Sequence, residues 1–480
     1  MCAREVTYGV PSPLRIQVGR WRTYAWGSSR SCASIWVLVR LKSPPRRNVG
    51  FQLALERIRM SSPITDLDLR HLLAQISDRA GLESHLRESE RSLYCGFDPT
   101  APSLHIGSLV PLLTLRRFQL SGHSPIALVG GATGLIGDPS GRVDERSLNE
   151  VDVVAGWVER LSKQVSRFID LDGSHAARVV DNLEWTRSLS ALDFLRDIGK
   201  HFSVNAMMQR DSVKNRLSRE GEGISYTEFS YMLVQAYDFL ELSRRYHCTI
   251  QVGGSDQWGN MVSGIDLIRR ADSQQAFVLT VPLVTRADGL KFGKTVDGAI
   301  WLDPEMTSPY RFYQFWLNTS DEDVVSLLGY FTFLDLDDIA EAAEMVRDRP
   351  GERSAQRLLA REVTLLTHGM EGLSSAERIT GALFGGVVED LSRDDLEQLR
   401  LDGMDSTVVE DDEELLSALV RADVAKSRGA GRKLIEGKGL HLNGDLVLFP
   451  NQALRRDGGL FGRYHLLRRG KKSWHMFCHD

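Results

Sequence analysis

The sequence contains no long apolar run and very little cysteine. Among its 480 residues, no stretch approaches the roughly 20 consecutive apolar residues that a membrane-spanning helix requires, so we expect no association with a membrane. The five cysteines are scattered and form no Cys-x-x-Cys pair, which argues against a disulfide framework and a structural zinc site. We therefore expect a reducing, cytoplasmic setting and no resident metal.

Basic residues are not in excess over the whole chain. The formal net charge is −5, so any nucleic-acid binding must come from a local basic patch. Residues 1–59 are the exception, because eleven basic and two acidic side chains give this segment a charge of +9 and leave −14 for the remainder. We interpret this basic N-terminal extension as the result of a start codon placed upstream of a natural start at Met60. A targeting segment and an RNA-binding arm are the alternatives.

Short apolar segments alternate with amphipathic stretches between about residue 90 and residue 285. Helices are predicted over Ile106–Leu120, Phe229–Arg245 and Gln257–Arg270. This alternation predicts an α/β fold with a parallel sheet, in which ligands bind at the carboxyl ends of the strands. The predicted strands are Ser92–Phe97, Pro125–Val129, Ala177–Asn182, Thr249–Val252 and Ala276–Leu283.

The character of the chain changes after residue 304, where helical patterns predominate over residues 305–401. Residues 402–414 are rich in Asp and Glu, which indicates a solvated acidic linker. The segment 415–480 is basic and combines a helical pattern with a strand and turn at Leu440–Gly444. We therefore predict a catalytic domain over 60–304, an α-helical domain, the linker and a small α+β domain.

Two segments carry residue types that bind phosphate. His105-Ile-Gly-Ser follows the first predicted strand and opens a helix, where unpaired N–H groups favour anions. Lys291-Phe-Gly-Lys-Thr places two lysines in one loop; it is not a P-loop, because Asp288 occupies the position of the required glycine. Taken singly, the first segment is better explained as a helix cap with a packing glycine, and the second as a solvated loop.

Together, these segments resemble the paired signatures of class I aminoacyl-tRNA synthetases. Ser108 departs from the family pattern, which most often has histidine there. The resemblance implies a Rossmann-like catalytic domain whose two signatures bracket ATP. Five separated stretches are moreover similar to bacterial tyrosyl-tRNA synthetases, namely Tyr94–Gly107, Gly130–Arg142, Phe229–Leu240, Gly253–Asn260 and Lys291–Thr295.

The resemblance also implies roles for individual residues. It assigns stabilisation of the leaving pyrophosphate, together with Mg²⁺, to Thr100, His105, Lys291 and Lys294. It assigns ATP to Gly96, Asp98, Gly107, Ser108, Gly254, Asp256, Gln257 and Lys294. It assigns tyrosine to Tyr94, Asp138, Tyr231, Gln235 and Asp238; the alternative for the last three is that they lie on an exposed helix surface.

The remaining segments are similar to further parts of the same family. Residues 190–220 match an insertion that forms homodimers, and residues 305–401 match an anticodon-side domain. Residues 415–480 resemble an RNA-binding domain shared with a ribosomal protein, in which Arg428, Arg432 and Lys433 would contact the tRNA backbone. The implied activity joins tyrosine to tRNA(Tyr) through tyrosyl-adenylate.

Three other functions remain open at this point. Another class I synthetase, such as a tryptophanyl enzyme, is opposed by the pairing of Asp238 with Tyr94, which suits a phenol better than an indole N–H. A non-enzymatic RNA-binding scaffold is opposed by the intact signature residues. An unrelated nucleotidyltransferase is opposed by the basic RNA-binding module.

Overall fold

A computed structural model describes residues 62–138, 140, 149–210, 213–214, 217, 223–285, 292, 294–295, 298–385, 387–470 and 473–480. The basic extension 1–59 and Lys291 lie outside these residues, and for Lys294 only the backbone is described. Among the helices of the described ranges, none is both long enough and apolar enough to cross a membrane.

A six-stranded sheet forms the centre of the sheet domain (residues 62–299), in the order β1-β6-β5-β2-β3-β4. Strands β2 to β6 are parallel, and β1 pairs with β6 in the antiparallel direction. The five predicted strands are confirmed to within two residues at each end. The strands are β1 (Gln75–Ile76), β2 (Ser92–Phe97), β3 (Ser124–Val129), β4 (Arg178–Asp181), β5 (Cys248–Gly254) and β6 (Phe277–Val281).

Helices cover both faces of this sheet, because its strands are apolar on both sides and must be buried on both. The helices of the sheet domain are α1 (Pro63–Leu69), α2 (Arg79–Glu88), α3 (Leu109–Leu120), α4 (Thr133–Ile136), α5 (Val151–Val165), α6 (Leu183–Thr186), α7 (Ala191–Asp193), α8 (Val204–Met208), α9 (Tyr226–Tyr246) and α10 (Trp258–Asp272).

The strand order reverses between β2 and β5. From β2 the chain adds β3 and β4 on one side, and it then returns to place β5 and β6 on the other side. In open parallel sheets, such a reversal leaves a crevice at the carboxyl ends of the two central strands, and ligands bind in it. The topology therefore predicts a ligand site at the carboxyl ends of β2 and β5.

A two-stranded hairpin, β7 (Lys294–Thr295) and β8 (Gly298–Ala299), precedes the helical domain (residues 309–403). The segment after β8 bonds to the first signature: the Ile106 N–H donates to the Ile300 carbonyl at 3.0 Å. The two signature regions are therefore joined through the backbone. The helices of the helical domain are α11 (Pro309–Leu317), α12 (Asp321–Phe331), α13 (Leu336–Asp348), α14 (Ser354–Leu383) and α15 (Arg393–Gln398).

A buried cation joins the sheet domain to the helical domain. The guanidinium of Arg117 on α3 is fully buried, pairs with Asp66 on α1 at 3.0 Å, and donates to the Thr332 carbonyl at 2.6 Å. Burial lowers the pKa of Arg117 to about 9, so the side chain stays protonated at neutral pH. Breaking a buried pair of this kind typically costs about 3–5 kcal/mol, so Asp66 fixes the cation within the sheet domain, and the hydrogen bond to the Thr332 carbonyl crosses to the helical domain.

The C-terminal domain (residues 406–480) has two helices, α16 (Leu415–Arg421) and α17 (Arg428–Glu436), against a five-stranded sheet in the order β12-β11-β14-β15-β9. The predicted strand and turn are confirmed as a hairpin, in which Asn443 and Gly444 both have positive φ. The strands are β9 (Ser406–Val408), β10 (Glu413–Glu414), β11 (Leu440–Leu442), β12 (Asp445–Leu446), β13 (Ala453–Leu454), β14 (Tyr464–Arg469) and β15 (Ser473–Cys478).

The prediction of a solvated acidic linker at 402–414 was wrong. This segment contains β9, which pairs in parallel with β15, and β10, which pairs with β13. Its acidic side chains meet arginines from later in the chain, as in the Asp412–Arg455 pair at 2.7 Å. A local count of charges misses Arg455, because it is 43 residues away from Asp412.

Candidate active site

A cavity of about 430 Å³ opens at the carboxyl ends of β2, β3 and β5. It lies where the strand order reverses, as expected for a parallel sheet. The cavity is lined by every residue that was predicted to contact a small molecule and whose side chain the structure describes. These residues are Tyr94, Gly96, Asp98, Thr100, His105, Gly107, Ser108, Asp138, Tyr231, Gln235, Asp238, Gly254, Asp256 and Gln257.

The helix α9 supplies three of these side chains. It begins after Ser225, whose hydroxyl caps the helix by accepting a hydrogen bond from the Glu228 N–H at 3.2 Å. Tyr231, Gln235 and Asp238 follow at spacings of four and three residues, so they share one face. That face lines the cavity, and the alternative of an exposed helix surface is therefore wrong.

The inner end of the cavity holds a buried carboxylate. Asp238 is 1% exposed, and its two oxygens accept hydrogen bonds from the Trp185 Nε1 atom at 2.8 Å and the Asn182 Nδ2 atom at 2.9 Å. Burial raises the pKa of Asp238 to about 7, although the two hydrogen bonds oppose that shift. Two donors thus orient a carboxylate that the protein interior would otherwise exclude.

Tyr94 on β2 lines the same end of the cavity. Burial, and then the charge of Asp238, raise the pKa of Tyr94 well above its ordinary value, so the phenol keeps its proton. Its hydroxyl is buried without a hydrogen-bond partner among the described residues, and the same holds for the Gln235 Oε1 atom. Buried polar atoms of folded proteins nearly always have partners. These two atoms therefore indicate a polar ligand in the cavity.

Two further carboxylates line the middle of the cavity. The Tyr231 hydroxyl donates to the Asp98 Oδ2 atom at 2.7 Å, and the Thr133 hydroxyl donates to the Asp98 Oδ1 atom at 2.6 Å. Asp138 accepts from the Gln257 Nε2 atom at 2.7 Å. Carboxylates fixed in this way form a negatively charged surface that suits an ammonium group or a ribose hydroxyl.

The first signature caps a short turn. The long helix was predicted to begin near His105; instead, a 3₁₀ turn spans Ile106–Ser108 and α3 begins at Leu109. The Gly107 N–H, expected to be open to anions, donates to the His105 Nδ1 atom at 3.0 Å. Because Nδ1 accepts, a neutral His105 ring carries its proton on Nε2 and presents a donor there.

The glycines of the site have different surroundings. A Cβ built on Gly96 meets no heavy atom within 4 Å, so this position borders open space in the cavity. A Cβ on Gly107 would lie 2.7 Å from the His105 ring. Gly96 therefore leaves room for a ligand next to the backbone, whereas Gly107 leaves room for the capping histidine.

The second signature is described at Phe292 and through the backbone of β7. Phe292 lines the cavity and also packs against aromatic rings of the helical domain, with ring centroids 5.1 Å from Phe315 and 5.5 Å from Trp316. The phenylalanine between the two predicted phosphate-binding lysines thus connects the cavity to the helical domain.

Sequence reasoning missed three of the residues that donate to the carboxylates, namely Asn182, Trp185 and Thr133. Asn182 follows β4 directly, and its place at the carboxyl end of a predicted strand was a signal that could have identified it. No local signal distinguishes Trp185 or Thr133, because their roles depend on contacts with residues 53 and 35 positions away.

The basic residues predicted to contact RNA lie on α17. Arg428 already pairs with Glu414 and donates to the Ser417 hydroxyl at 2.8 Å, so its charge is partly neutralised within the protein. Arg432 and Lys433 are exposed to solvent. Arg428 is exposed as well, and the contact of these three side chains with RNA stays a prediction.

Comparisons with known proteins agree with this site. The family of tRNA synthetases class I (W and Y) matches residues 86–385, and the tyrosine–tRNA ligase SYY-like C-terminal domain matches residues 395–477. The tyrosine–tRNA ligase of Aliivibrio fischeri is 52% identical over 86% of this chain and 98% of its own length. That of Dechloromonas aromatica is 53% identical over 86% of this chain and 97% of its own length.

Solved structures show the same fold. A C-terminally truncated mitochondrial tyrosyl-tRNA synthetase from Aspergillus nidulans has a TM-score of 0.62 and 29% identity, covering 70% of this chain and 100% of that one. The C-terminally truncated mitochondrial tyrosyl-tRNA synthetase from Coccidioides posadasii has a TM-score of 0.58 and 30% identity, covering 69% of this chain and 97% of that one. Since the family match spans most of the chain and its relatives align over nearly their full length, the chain belongs to the tRNA synthetases of class I, in the W and Y family.

Proposed function

We propose that this chain is a tyrosine–tRNA ligase, which activates L-tyrosine with ATP and transfers it to the terminal adenosine of tRNA(Tyr). The observation that carries the proposal is the pairing of Tyr94 and Asp238 at the inner end of the cavity. A phenol hydroxyl placed there would donate to the Asp238 carboxylate and accept from the Tyr94 hydroxyl. The Tyr94 hydroxyl would then gain the partner that it lacks and Asp238 would gain a third donor, and an unsubstituted phenyl ring supplies neither hydrogen bond.

The reaction needs no protein nucleophile. The carboxylate of tyrosine attacks the α-phosphorus of ATP, the bond to the bridging oxygen breaks, and pyrophosphate leaves. A ribose hydroxyl of the terminal adenosine then attacks the acyl carbon, and AMP leaves. The protein orients the reactants and stabilises the charge on pyrophosphate, for which Thr100, His105, Lys291 and Lys294 supply the donors.

Magnesium would enter with the nucleotide. No group of three potential metal ligands is present in the part of the chain that the structure describes. Mg²⁺ keeps several waters and binds mainly through substrate phosphates, so it does not require such a group of protein ligands. When bound, the ion would neutralise charge on the phosphate oxygens. We also propose that the tyrosine–tRNA ligase reaction takes place in the cytoplasm.

ATP–pyrophosphate exchange with each standard amino acid tests the proposal on the full chain. We expect exchange with tyrosine only, because phenylalanine leaves the Tyr94 hydroxyl without a partner. Tyrosyl-tRNA synthetases are the established example of this discrimination, at about 10⁵-fold without editing. The Tyr94→Phe variant should lose about tenfold in the preference for tyrosine, whereas Tyr330→Phe in the helical domain should not. Exchange with tryptophan would contradict the proposed specificity.

Tyrosine binding should depend on pH through Asp238, because burial raises the pKa of this carboxyl to about 7. The phenol needs an ionised acceptor, so affinity is complete above that value and falls as the pH drops through it. Between pH 7 and pH 6, the KM for tyrosine should rise towards the limit of about tenfold per pH unit for a single proton. The KM for ATP should stay constant over this range. In the Asp238→Asn variant, the KM for tyrosine should be high and independent of pH. A flat wild-type profile would exclude this role of Asp238.

We infer that the C-terminal domain binds the tRNA backbone through Arg432 and Lys433. Each phosphate contact releases counterions, so affinity should fall steeply with salt. The double variant Arg432→Ala/Lys433→Ala should bind tRNA more weakly and reduce the slope of log K against log salt by roughly one for each contact. Pyrophosphate exchange should be unchanged. An unaltered salt slope would contradict the assignment, and Lys163→Ala in the sheet domain is the control.

We also infer that the protein forms a homodimer through the predicted insertion. Exposed apolar side chains cluster there, including Leu192 at 78% and Val204 at 59% exposure, beside a shallow groove at Met208 and Ile224. Contiguous apolar surface of this kind marks an interface. Sedimentation velocity should show a dimer that Val204→Asp converts to a monomer, whereas Leu448→Asp on the C-terminal domain leaves it intact. A monomeric wild type would overturn this inference.

A further inference from the structure

A buried amide lies behind the wall of the cavity, and none of the predicted roles uses it. Asn260 on α10 is 3% exposed and is not among the residues that line the cavity. It lies three residues after Gln257, the N-cap residue of this helix, so the two side chains project from the same face. A buried amide next to a site residue needs partners of its own.

Asn260 completes a closed ring of hydrogen bonds, which we call the amide ring. Its Nδ2 atom donates to the Gln257 Oε1 atom at 3.3 Å and to the Ser140 Oγ atom at 3.4 Å. The Gln257 Nε2 atom donates to the Asp138 Oδ2 atom at 2.7 Å, and the Ser140 backbone N–H donates to the Asp138 Oδ1 atom at 2.9 Å. The ring therefore holds both oxygens of the Asp138 carboxylate.

The amide ring has a direction, because a side-chain amide has one accepting end and one donating end. While Asn260 donates to the oxygen of Gln257, the nitrogen of Gln257 must face Asp138. Asp138 can only accept, so it selects the nitrogen end of Gln257, and Asn260 secures that orientation by donating to the other end. Without Asn260, the Gln257 oxygen loses this donor and the amide is free to turn away from the carboxylate.

The Asp138 carboxylate keeps acceptor capacity towards the cavity. Each carboxylate oxygen can accept about two hydrogen bonds, and the amide ring uses one on each. The remaining positions suit a group with several N–H donors and a positive charge. Asp138 itself lines the cavity, so such a group can reach it.

We propose that Asn260 is a positioning residue for the ammonium group of tyrosine. It does not touch the substrate, but it fixes the orientation of Gln257 and, through it, the Asp138 carboxylate that meets the ammonium group. This inference rests on the proposed function, since it assigns a role within the same site.

The first test replaces Asn260 with leucine, which has a similar volume and no donor. In pyrophosphate exchange, the KM for tyrosine of Asn260→Leu should rise about tenfold, while kcat and the KM for ATP change by less than about twofold. Ser263→Ala is the matched control, because it removes a different buried hydrogen bond on the same helix, from the Ser263 hydroxyl to the Gly259 carbonyl. The control should leave the KM for tyrosine unchanged.

Two inhibitors separate an ammonium effect from general damage to the site. Tyrosinol retains the ammonium and phenol groups, whereas 3-(4-hydroxyphenyl)propionate retains the phenol and carboxylate but has no ammonium. The inhibition constant of tyrosinol should rise in parallel with the KM for tyrosine. That of the propionate should stay unchanged, because it does not use the Asp138 carboxylate as an ammonium partner.

A second variant keeps the inference testable if Asn260→Leu does not fold. Asn260→Asp preserves the shape but offers only acceptors, so it should draw the Gln257 nitrogen away from Asp138 and cause the same selective loss. Equal weakening of both inhibitors, or an unchanged KM for tyrosine, would overturn the role of Asn260 alone. A folded wild type that exchanges with no amino acid would overturn the proposed function itself.

Discussion

The pairing of β2 with β5 is the constraint on which the rest of the molecule depends. These strands lie side by side although more than 150 residues separate them, and Tyr94 stands directly beside Gln251 in the register. Because the strand order reverses there, their carboxyl ends border a crevice that neither strand fills. Residues that follow each strand, Asp98 and Thr100 after β2 and Asp256 and Gln257 after β5, then line one cavity.

Within that cavity, the cost of burying polar groups determines the arrangement. Asp238 is tolerated because Asn182 and Trp185 donate to it, and Asp98 because Tyr231 and Thr133 do. The hydroxyl of Tyr94 has no such partner among the described residues. The protein thus orients its carboxylates through internal donors and leaves the Tyr94 hydroxyl for the substrate, which is the basis of discrimination between a phenol and a phenyl ring.

The parallel strands could be predicted because they are buried on both faces and appear as apolar runs bounded by polar residues. Strand β9 could not, since its residues lie in an acidic segment and it pairs with β15 some 70 residues later. The site residues recognised in advance are those within motifs, such as His105, Tyr231 and Gln257. Trp185 belongs to no motif, and only its hydrogen bond to Asp238 identifies its role.

The sequence by itself determined the alternation of strands and helices, the family and the chemical types present in the site, because each of these depends on local pattern and composition. The tertiary structure alone decided how these groups are paired. It showed that His105 caps its own turn, that Arg428 is partly neutralised by Glu414, and that Asn260 orients Gln257. Hydrogen-bond direction and ion pairing depend on distances between atoms, which a linear order of residues does not contain.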